Sequence, residues 1–345
     1  MRYTFLDNVE QGERLGKHIF ASDGRILLQQ GAQLTVGLIS RLRHMGVQAI
    51  YIKDSRLQDL KIEEVVSEKV KRNTIETLKN SIQFVQTGKE LEIRNIQASI
   101  RSILDEVLQN QQILLNLTDI RTDDNHLYIH SVNVCIISAI VGIRLGLDRV
   151  KLQELAMGAL LHDIGKIIPD QAATEDLAQN DHTWKGFNTL RKNKEISILS
   201  AHIALTHHEH VDGTGFPRKL TEEDIHIVSK IAAVANAYDR LINPAPGERG
   251  LFPFEACEHL MALTNRCFDH EVVWNFLRAI AFYPTGSQVK LSTGLTGIVV
   301  GQNSGLPQRP IIRTFHTSGG SSSDFAIRHV DLAKETTVFI NNVLS

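Results

Sequence analysis

Cysteine is scarce in this chain of 345 residues, which contains only Cys135, Cys257 and Cys267. The three are scattered, odd in number and form no CxxC pair, so neither a disulfide framework nor a thiolate metal site is expected to organise the fold. We therefore expect a reducing, cytoplasmic environment.

An excess of charge of either sign is also missing, because 37 Lys and Arg face 39 Asp and Glu, for a formal net charge of -2. Without a basic field over the whole molecule, neither nucleic acid nor an anionic membrane surface is an expected partner. A small anionic ligand would need a local site.

Long hydrophobic runs are absent as well. Residues 1–16 lack the apolar stretch of a signal peptide, and the most apolar internal run, residues 134–143, falls well short of the roughly 20 residues that cross a membrane. The sequence therefore predicts a soluble protein without a membrane partner.

The chain divides into four segments, and the longest of them is helical. Residues 1–58 alternate β-rich runs and turns around one helix that stops at Gly46, which predicts a small α+β domain. Residues 59–118 carry amphipathic helical repeats, which predict a helical connector that could form a homodimer. Residues 119–284 show a helical pattern, and residues 285–345 return to short strands around the flexible stretch "SGGSSS". The predicted fold class is mainly α.

Several of the 15 histidines fall in groups within the long helical segment. His126 and His130 are four residues apart and share a helix face. His162 and Asp163 end an apolar stripe, where a metal ion or a buried ion pair would satisfy them. The other groups are His182, the stretch "AHIALTHHEHVDGTGFP" with His202, His207, His208 and Glu209, and a helix that presents Asn236 and Asp239.

Imidazoles with carboxylates and no thiolate suit iron, manganese or zinc, and adjacent ligands can serve two ions that clamp a phosphoryl group. A helix-end cap with a salt bridge explains His162 and Asp163 alone, but not five groups together. Lys166 could contact a phosphate or protonate a leaving oxygen, or simply stabilise a helix C-terminus. Gly213 and Gly215 would let the backbone approach a ligand closely, although any tight loop looks the same.

In order and spacing, these motifs resemble the HD-GYP family, a subgroup of the HD phosphohydrolases. The matching stretches are "HSVNV", "HDIGK", "HTWKGFNTL", "AHIALTHHEHVDGTGFP" and "IAAVANAYDRL", and they cover about residues 124–283. The flanks are also similar to parts of some members: residues 1 to about 54 to a small N-terminal domain, and "YPTGSQVKLSTGLTGIVV" to a short β-rich tail.

The resemblance implies an all-helical catalytic domain that holds two or three divalent metal ions, often iron or manganese, and hydrolyses cyclic di-GMP to pGpG or GMP. Asp163 would bridge two ions, Lys166 would contact the scissile phosphate, and both would be catalytic. By position, the metal ligands would be His130, His162, Asp163, His182, His207 and His208. The substrate contacts would be Lys166, Asp212, Gly213, Gly215, Phe216 and Arg249.

Three ligand or substrate positions depart from the family pattern. Asn236 stands where a metal-binding aspartate is usual, so it would be a weak ligand that offers an oxygen without the charge. Phe216 replaces the tyrosine of the family name and keeps only its ring. His126 stands where some three-metal members have a carboxylate ligand; it is an extra ligand or an ordinary surface histidine.

The substrate-side loop departs further. Ala245 and Glu248 occupy the places of basic residues that hold substrate phosphates in the family, and Arg249, one position on, is the available replacement. Each lost charge-assisted hydrogen bond would weaken phosphate binding by roughly 10–100-fold.

These departures leave three readings open. The first is a cyclic di-GMP phosphodiesterase with weakened activity. The second is a degenerate domain that binds cyclic di-GMP, or a protein partner through the "GFP" loop, and signals without turnover. The third is a hydrolase of another phosphoester, such as a different cyclic dinucleotide.

Overall fold

The computed structural model describes residues 1–60, 62–87, 91–117, 119–168, 181–244, 248–317 and 325–344. Within these ranges the chain has ten α-helices and, after them, a five-stranded sheet. The predicted mainly α fold class with β-containing flanks is thus confirmed.

The N-terminal unit is built from two small antiparallel strand pairs and one helix. Its elements are β1 (Arg2–Phe5), β2 (Ile19–Phe20), β3 (Ile26–Leu28), α1 (Val36–His44) and β4 (Ala49–Ile52). β1 pairs with β4, and β2 pairs with β3 across the "SDGR" turn. α1 ends because Gly46 adopts a φ of +78°, which glycine tolerates without strain. The unit encloses its own core around Leu15, Leu34 and Ile50.

Two amphipathic helices follow, α2 (Glu68–Gln86) and α3 (Ile93–Gln109). Apolar residues recur on α3 every three or four positions, including Ile96 and Ile103, and both are fully buried. These faces lie in the same hydrophobic core as the helices that come after them. The segment predicted as a connector therefore packs on the rest of the chain along its apolar side.

Seven helices make up the central part of the molecule. They are α4 (His126–Arg144), α5 (Arg149–Leu161), α6 (His182–Leu190), α7 (Ile198–Thr206), α8 (Ile227–Ile242), α9 (Pro253–Ala262) and α10 (His270–Leu277). α4 packs against α5 and α8. In the part of the chain that the structure describes, α4 is the one helix long and apolar enough to cross a membrane, and 72% of that stretch is buried inside the fold, as in a core helix.

The C-terminal part is an antiparallel sheet in the order β8-β7-β6-β5-β9. Its strands are β5 (Gln288–Leu291), β6 (Thr296–Gly301), β7 (Ile311–Thr317), β8 (Phe325–Asp331) and β9 (Ile340–Val343). The sequence analysis missed β8, which pairs with β7 along seven residues. The "SGGSSS" stretch, predicted to be flexible, lies outside the described residues.

Hydrogen bonds join the N-terminal unit to the start of α4. The backbone N–H and the hydroxyl of Ser22 donate to Asp124 Oδ2 at 2.9 and 2.5 Å, and the Asn125 amide donates to the Phe20 carbonyl at 2.9 Å. Farther along the chain, the guanidinium of Arg313 on β7 donates to the Arg56 carbonyl at 3.1 Å, and to Asp59, just after the unit, at 2.7 and 2.6 Å. The N-terminal unit is thus held by both the helices and the sheet.

Candidate metal centre

Asp163 lies at the centre of a cluster of buried and partly buried histidines that come from four helices or their ends. His130 comes from α4, His162 and Asp163 follow α5, His182 begins α6, and His207 and His208 follow α7. One carboxylate oxygen, Oδ2, lies 3.6 Å from His130 Nε2 and 3.4 Å from His162 Nε2. The other oxygen, Oδ1, lies 3.6 Å from Nε2 of both His182 and His207.

The side chains around Asp163 form two groups that could each hold a metal ion. The first is His130, His162 and Asp163, and the second is His182, His207 and His208. Within the groups, Nε2 atoms lie 3.2 Å apart for His130 and His162, and 3.4 Å apart for His182 and His207. Ligands that each stand about 2.0–2.2 Å from one ion are separated by roughly this much.

The donor set fits metal ions better than it fits a network of hydrogen bonds. Asp163 Oδ1 is buried and has no hydrogen-bond partner among the residues that the structure describes. Such an atom is costly to bury unless a cation or a donor satisfies it. Because Oδ1 faces one histidine group and Oδ2 the other, Asp163 could bridge two ions.

In three of these histidines, Nδ1, the ring nitrogen that does not face Asp163, lies within hydrogen-bond distance of an acceptor. His162 Nδ1 lies 2.8 Å from the Ala159 carbonyl and His207 Nδ1 lies 2.9 Å from the Ala204 carbonyl. His130 Nδ1 lies 2.6 Å from Asp239 Oδ2. These acceptors require a proton on Nδ1, which leaves Nε2 with a free lone pair turned towards Asp163.

Asp239 is itself fully buried and held by donors. The Arg121 guanidinium donates to Asp239 Oδ1 at 2.5 Å, and the Asn133 amide donates to the same oxygen at 3.1 Å. Burial acts to raise the pKa of Asp239, but the Arg121 charge and the hydrogen bond from His130 outweigh it, and the pKa lies well below the usual range. Asp239 is therefore a carboxylate that can orient His130.

Four histidines of the cluster are in the protonation state that metal binding needs. Burial lowers the pKa of His130, His182 and His208, and it lowers that of His207 to about 4. They are therefore neutral at pH 7, as imidazole ligands must be.

Gly165 allows the turn that carries Lys166 to lie against the start of α6, where His182 stands. Residues 164–166 form a short 3-10 turn after Asp163. A Cβ on Gly165 would lie 1.8 Å from the His182 carbonyl oxygen, so only glycine allows α6 to start this close to the turn. Lys166 Nζ donates to Asp163 Oδ2, and its side chain is 30% exposed. The ammonium group therefore stands at the edge of the cluster, next to solvent.

The loop after α7 is folded against the second histidine group. The Phe216 ring stacks on His208, with centroids 4.6 Å apart and planes 18° apart, and is 43% exposed. A Cβ on Gly215 would lie 2.3 Å from the His210 backbone nitrogen, and Gly213 has a φ of +79°. Asp212 is exposed, and its Oδ1 accepts hydrogen bonds within the loop from Thr214.

Glu209 organises this loop, a role that the sequence analysis did not assign. Its buried carboxylate accepts hydrogen bonds from the backbone N–H groups of Arg218 at 2.7 Å and Leu220 at 2.9 Å. The signal was present in the sequence, since an acidic residue that directly follows an apolar helix and two histidines needs donors nearby if it is buried.

The remaining predicted residues lie outside both histidine groups. Asn236 is buried on α8, and its Oδ1 has no hydrogen-bond partner within the described ranges. His126 is half-buried and lines a separate cavity with Arg121. Arg249 is exposed, as is Glu248, and its guanidinium lies over the Phe5 ring at 5.2 Å. Ala245 lies outside the described residues.

Histidines gathered around one aspartate within a helical bundle form a histidine–aspartate cluster that could hold metal ions. Family comparison agrees: residues 116–272 match the HD domain, and residues 288–345 match the KOW domain associated with HD domain. The chain therefore contains an HD domain followed by a KOW domain associated with HD domain, and the HD domain predicted from the sequence is confirmed. Membership of the HD-GYP subgroup stays a prediction.

The chain is similar to several characterised proteins. It is 27% identical to the cyclic di-GMP phosphodiesterase PA4108 of Pseudomonas aeruginosa, over 87% of this chain and 80% of that protein. It is 35% identical to a cyclic di-GMP phosphodiesterase of Thermotoga maritima, over 50% of each protein. It is 30% identical to the cyclic di-GMP phosphodiesterase PdeB of Borreliella burgdorferi, over 56% of this chain and 54% of that protein. The chain thus spans about half the length of the last two relatives.

Among solved structures, Bd1817, an HDG"Y"P protein from Bdellovibrio bacteriovorus, aligns with 79% of this chain and 97% of its own. The sequence identity is 19% and the TM-score is 0.49.

Proposed function

We propose that this chain is a metal-dependent phosphodiesterase that hydrolyses cyclic di-GMP to pGpG or GMP with two or three divalent ions, iron or manganese. The observation that carries the proposal is Asp163, which has a pair of histidine Nε2 atoms about 3.5 Å from each of its two oxygens. The similarity to PA4108, which is named for this activity and matches over 80% of its length, supports the substrate.

In this proposal the two histidine groups would hold the ions, and Asp163 would be a ligand shared by both groups. Two adjacent ions, when bound, polarise phosphoryl oxygens and lower the pKa of water, which supplies a nucleophile near neutral pH. Lys166 turns from Asp163 to a phosphate oxygen, where its ammonium offsets negative charge. The cluster has the residue types for this reaction without a serine or cysteine nucleophile.

The loop after α7 would hold the substrate. Gly213 and Gly215 allow the backbone to approach the dinucleotide closely, Asp212 offers a carboxylate acceptor at the loop surface, and the exposed part of the Phe216 ring offers a face to a base. In this loop, Arg249 is the cation that could bind a substrate phosphate. To do so, its guanidinium would have to move away from the Phe5 ring.

We expect the activity to be weak, because three substrate-side and ligand positions lack the charge that the family pattern places there. Asn236 offers a neutral oxygen in place of a carboxylate, and Ala245 and Glu248 replace cations. Loss of one partner in a metal site typically costs about 10–100-fold in affinity or activity. Enzymatic accelerations of 10⁶-fold or more leave room for slow turnover after such losses.

The position of Arg249 favours a second candidate, a degenerate HD-GYP domain that binds cyclic di-GMP or a protein partner without turnover. With Arg249 over Phe5 and Glu248 exposed beside it, the described residues of this loop direct no cation to the histidine groups. In that case the exposed Phe216 loop would serve as the binding surface for a signalling partner.

The test is turnover of cyclic di-GMP by protein purified without oxygen, with the metal content measured on the same sample. Asp163→Asn removes the bridging charge, and Asp105→Asn is a matched control because Asp105 is an exposed aspartate that pairs with Arg149. We expect two metals per chain and product from the wild type and the control, and neither from Asp163→Asn. Metal-poor wild-type protein that binds cyclic di-GMP without cleaving it would establish the second candidate instead.

A further inference from the structure

Arg240, in the last turn of α8, is an exposed cation. Its side chain forms no ion pair and no hydrogen bond with any residue that the structure describes. A cation in the last turn favours the partial negative charge of the helix end, but that interaction uses none of its donors in a directed bond. The five N–H donors of the guanidinium are therefore available to a ligand.

The geometry of α8 places Arg240 on the side of the helix that meets α7. Ser229, Asn236 and Arg240 follow one another at spacings of seven and four residues, which puts them on one face. Near the start of this face, the Thr206 hydroxyl donates to Ser229 Oγ at 2.7 Å, and Thr206 directly precedes His207. The face that carries Arg240 is therefore the one that packs against α7.

Asp239 fixes the position of this end of α8 at the histidine cluster. Its Oδ2 lies 2.6 Å from His130 Nδ1 on α4. Arg240 is the next residue, which in a helix means a rise of about 1.5 Å and a rotation of about 100°. The backbone of Arg240 is thus held beside the first histidine group, while its side chain leaves the helix on the side of the second.

The charge of Arg240 acts on the second histidine group. Burial is the main cause of the low pKa of His208, and the Arg240 charge lowers it further. Burial likewise lowers the pKa of His182, and the Lys166 charge adds to that effect. Two cations therefore stand near this group, Lys166 by His182 and Arg240 by His208.

Side chains around the second histidine group can be reached from solvent. The Phe216 ring, which stacks on His208, is 43% exposed. Lys166 is 30% exposed, and Arg240 is exposed as well. A ligand can therefore contact a ring face and two cations without any change in the buried core.

We propose that Arg240 binds a phosphate of the cyclic dinucleotide and sets the affinity for it. The inference rests on the proposed function, from which it takes the ligand. A guanidinium binds phosphate oxygens through paired, charge-assisted hydrogen bonds. Arg240 thereby supplies from α8 the charge that Ala245 and Glu248 lack. Arg249 can then stay on the Phe5 ring while the substrate is bound.

The role assigned to Arg240 is in binding rather than in chemistry. Arg240 forms no ion pair with Asp163, the carboxylate between the two histidine groups, whereas Lys166 does. A cation that holds a phosphate equally well in the ground state and the transition state changes KM and leaves kcat unaffected. Arg240 is thus expected to act on KM.

The test is calorimetric titration of the EDTA-treated full chain with cyclic di-GMP at low and high salt. Arg240→Ala removes the guanidinium, and Arg240→Lys keeps the charge without the paired donors. Arg101→Ala is the matched control, since Arg101 is an exposed arginine on α3 whose side chain has no partner among the described residues. Mn²⁺ titration and thermal unfolding of each variant report separately on the metal centre and on the fold.

We expect Arg240→Ala to bind cyclic di-GMP about 10–100-fold more weakly than the wild type, as for the loss of a charge-assisted hydrogen bond. Arg240→Lys should fall between the two, and Arg101→Ala should match the wild type. Salt should weaken binding by the wild type more than binding by Arg240→Ala, because salt screens the charge that the variant lacks. With Mn²⁺ present, KM should rise in Arg240→Ala by the same factor as the dissociation constant.

Wild-type affinity in Arg240→Ala would overturn the proposal, whether or not the chain hydrolyses the ligand. Weaker binding together with an equal loss of Mn²⁺ affinity, or with a lower melting temperature, would give Arg240 a structural role instead. A wild-type chain that binds cyclic di-GMP without cleaving it would end the proposed hydrolysis and leave the role of Arg240 standing. A wild-type chain that neither binds nor cleaves it up to millimolar concentration, with or without Mn²⁺, would overturn both.

Discussion

The carboxylate of Asp239 on α8 holds the imidazole of His130 on α4, with Oδ2 and Nδ1 2.6 Å apart. The ring is thereby turned so that Nε2 faces Asp163 at 3.6 Å. A carboxylate partner of this kind fixes the tautomer of a histidine and makes it a better metal ligand. The pair joins two helices whose residues are far apart in the sequence.

Replacing Asp239 by Asn should weaken metal binding at the His130 group by about 10–100-fold, because the amide removes the charge that orients the ring. The measurement is a Mn²⁺ titration of EDTA-treated protein, with thermal unfolding recorded to separate loss of metal from loss of fold. Asp105→Asn, at an exposed position, should titrate like the wild type. Unchanged Mn²⁺ affinity in Asp239→Asn would show that the pair has no influence on the metal centre.

Replacing Asn236 by Asp should raise the metal content per chain and speed any turnover. Asn236 is buried, its Oδ1 has no partner in the described structure, and a carboxylate there would restore the charge that the family pattern places on this helix. Metal analysis and initial rates on the same preparation provide the measurement. A variant with no more metal and no faster rate than the wild type would exclude this position as the cause of weak activity.

Gly215→Ala should displace the loop that carries Phe216. The new Cβ would stand 2.3 Å from the His210 nitrogen and 2.5 Å from the His208 carbonyl oxygen, so backbone must move. Overpacking of this kind costs typically about 1–3 kcal/mol of stability, and misplacing a substrate contact by about 1 Å can cost 10²-fold in rate. The melting temperature and kcat/KM measure the two effects.

Gly305→Ala is the control for that experiment, because a Cβ on Gly305 meets nothing within 4 Å. It should leave both the melting temperature and the rate at wild-type values. If Gly215→Ala also kept wild-type values, the close approach of the loop to His208 would have no effect on the melting temperature or on kcat/KM.

His126 should make the protein less stable as the pH falls from about 6.5 to about 4. Burial lowers the pKa of His126 to about 4, with the nearby Arg121 charge acting in the same direction. Between these values the unfolded chain binds a proton that the folded chain does not, so the free energy of unfolding decreases as pH falls. His126→Gln should remove this contribution and give a shallower pH dependence.

Urea unfolding of EDTA-treated protein at several pH values measures this effect. His270→Gln, at an exposed position on α10, serves as the control and should keep the wild-type slope. Equal slopes for His126→Gln and the wild type would mean that His126 titrates alike in the folded and unfolded chains.

The sequence predicted those parts of the structure that local patterns determine. Helical periodicity marked the long helical segment, and the turn chemistry around Gly24 and Gly46 placed the hairpin and the end of α1. The spacing of the histidines also led to residues that the structure brings together around Asp163. Which of them bind metal or substrate stays a prediction.

The parts that the sequence did not give depend on contacts between distant residues. Arg121 and Asp239 are 118 positions apart, and no local sequence pattern predicts that they pair. β8 exists as a strand because it pairs with β7, and α2 and α3 lie on the central helices because their apolar faces are buried there. Local propensity cannot supply such pairings.

The grip of the N-terminal unit on Asp124 and Asn125 has a mechanical consequence. Asn125 is only five residues, or about 7.5 Å of helix rise, from His130. α4 is a continuous helix, and the N-terminal unit holds it at the end nearest the histidine cluster. A displacement of the first 60 residues would therefore be transmitted through this short length of helix to the His130 imidazole, so the position of the N-terminal unit and the geometry of the histidine cluster are mechanically linked.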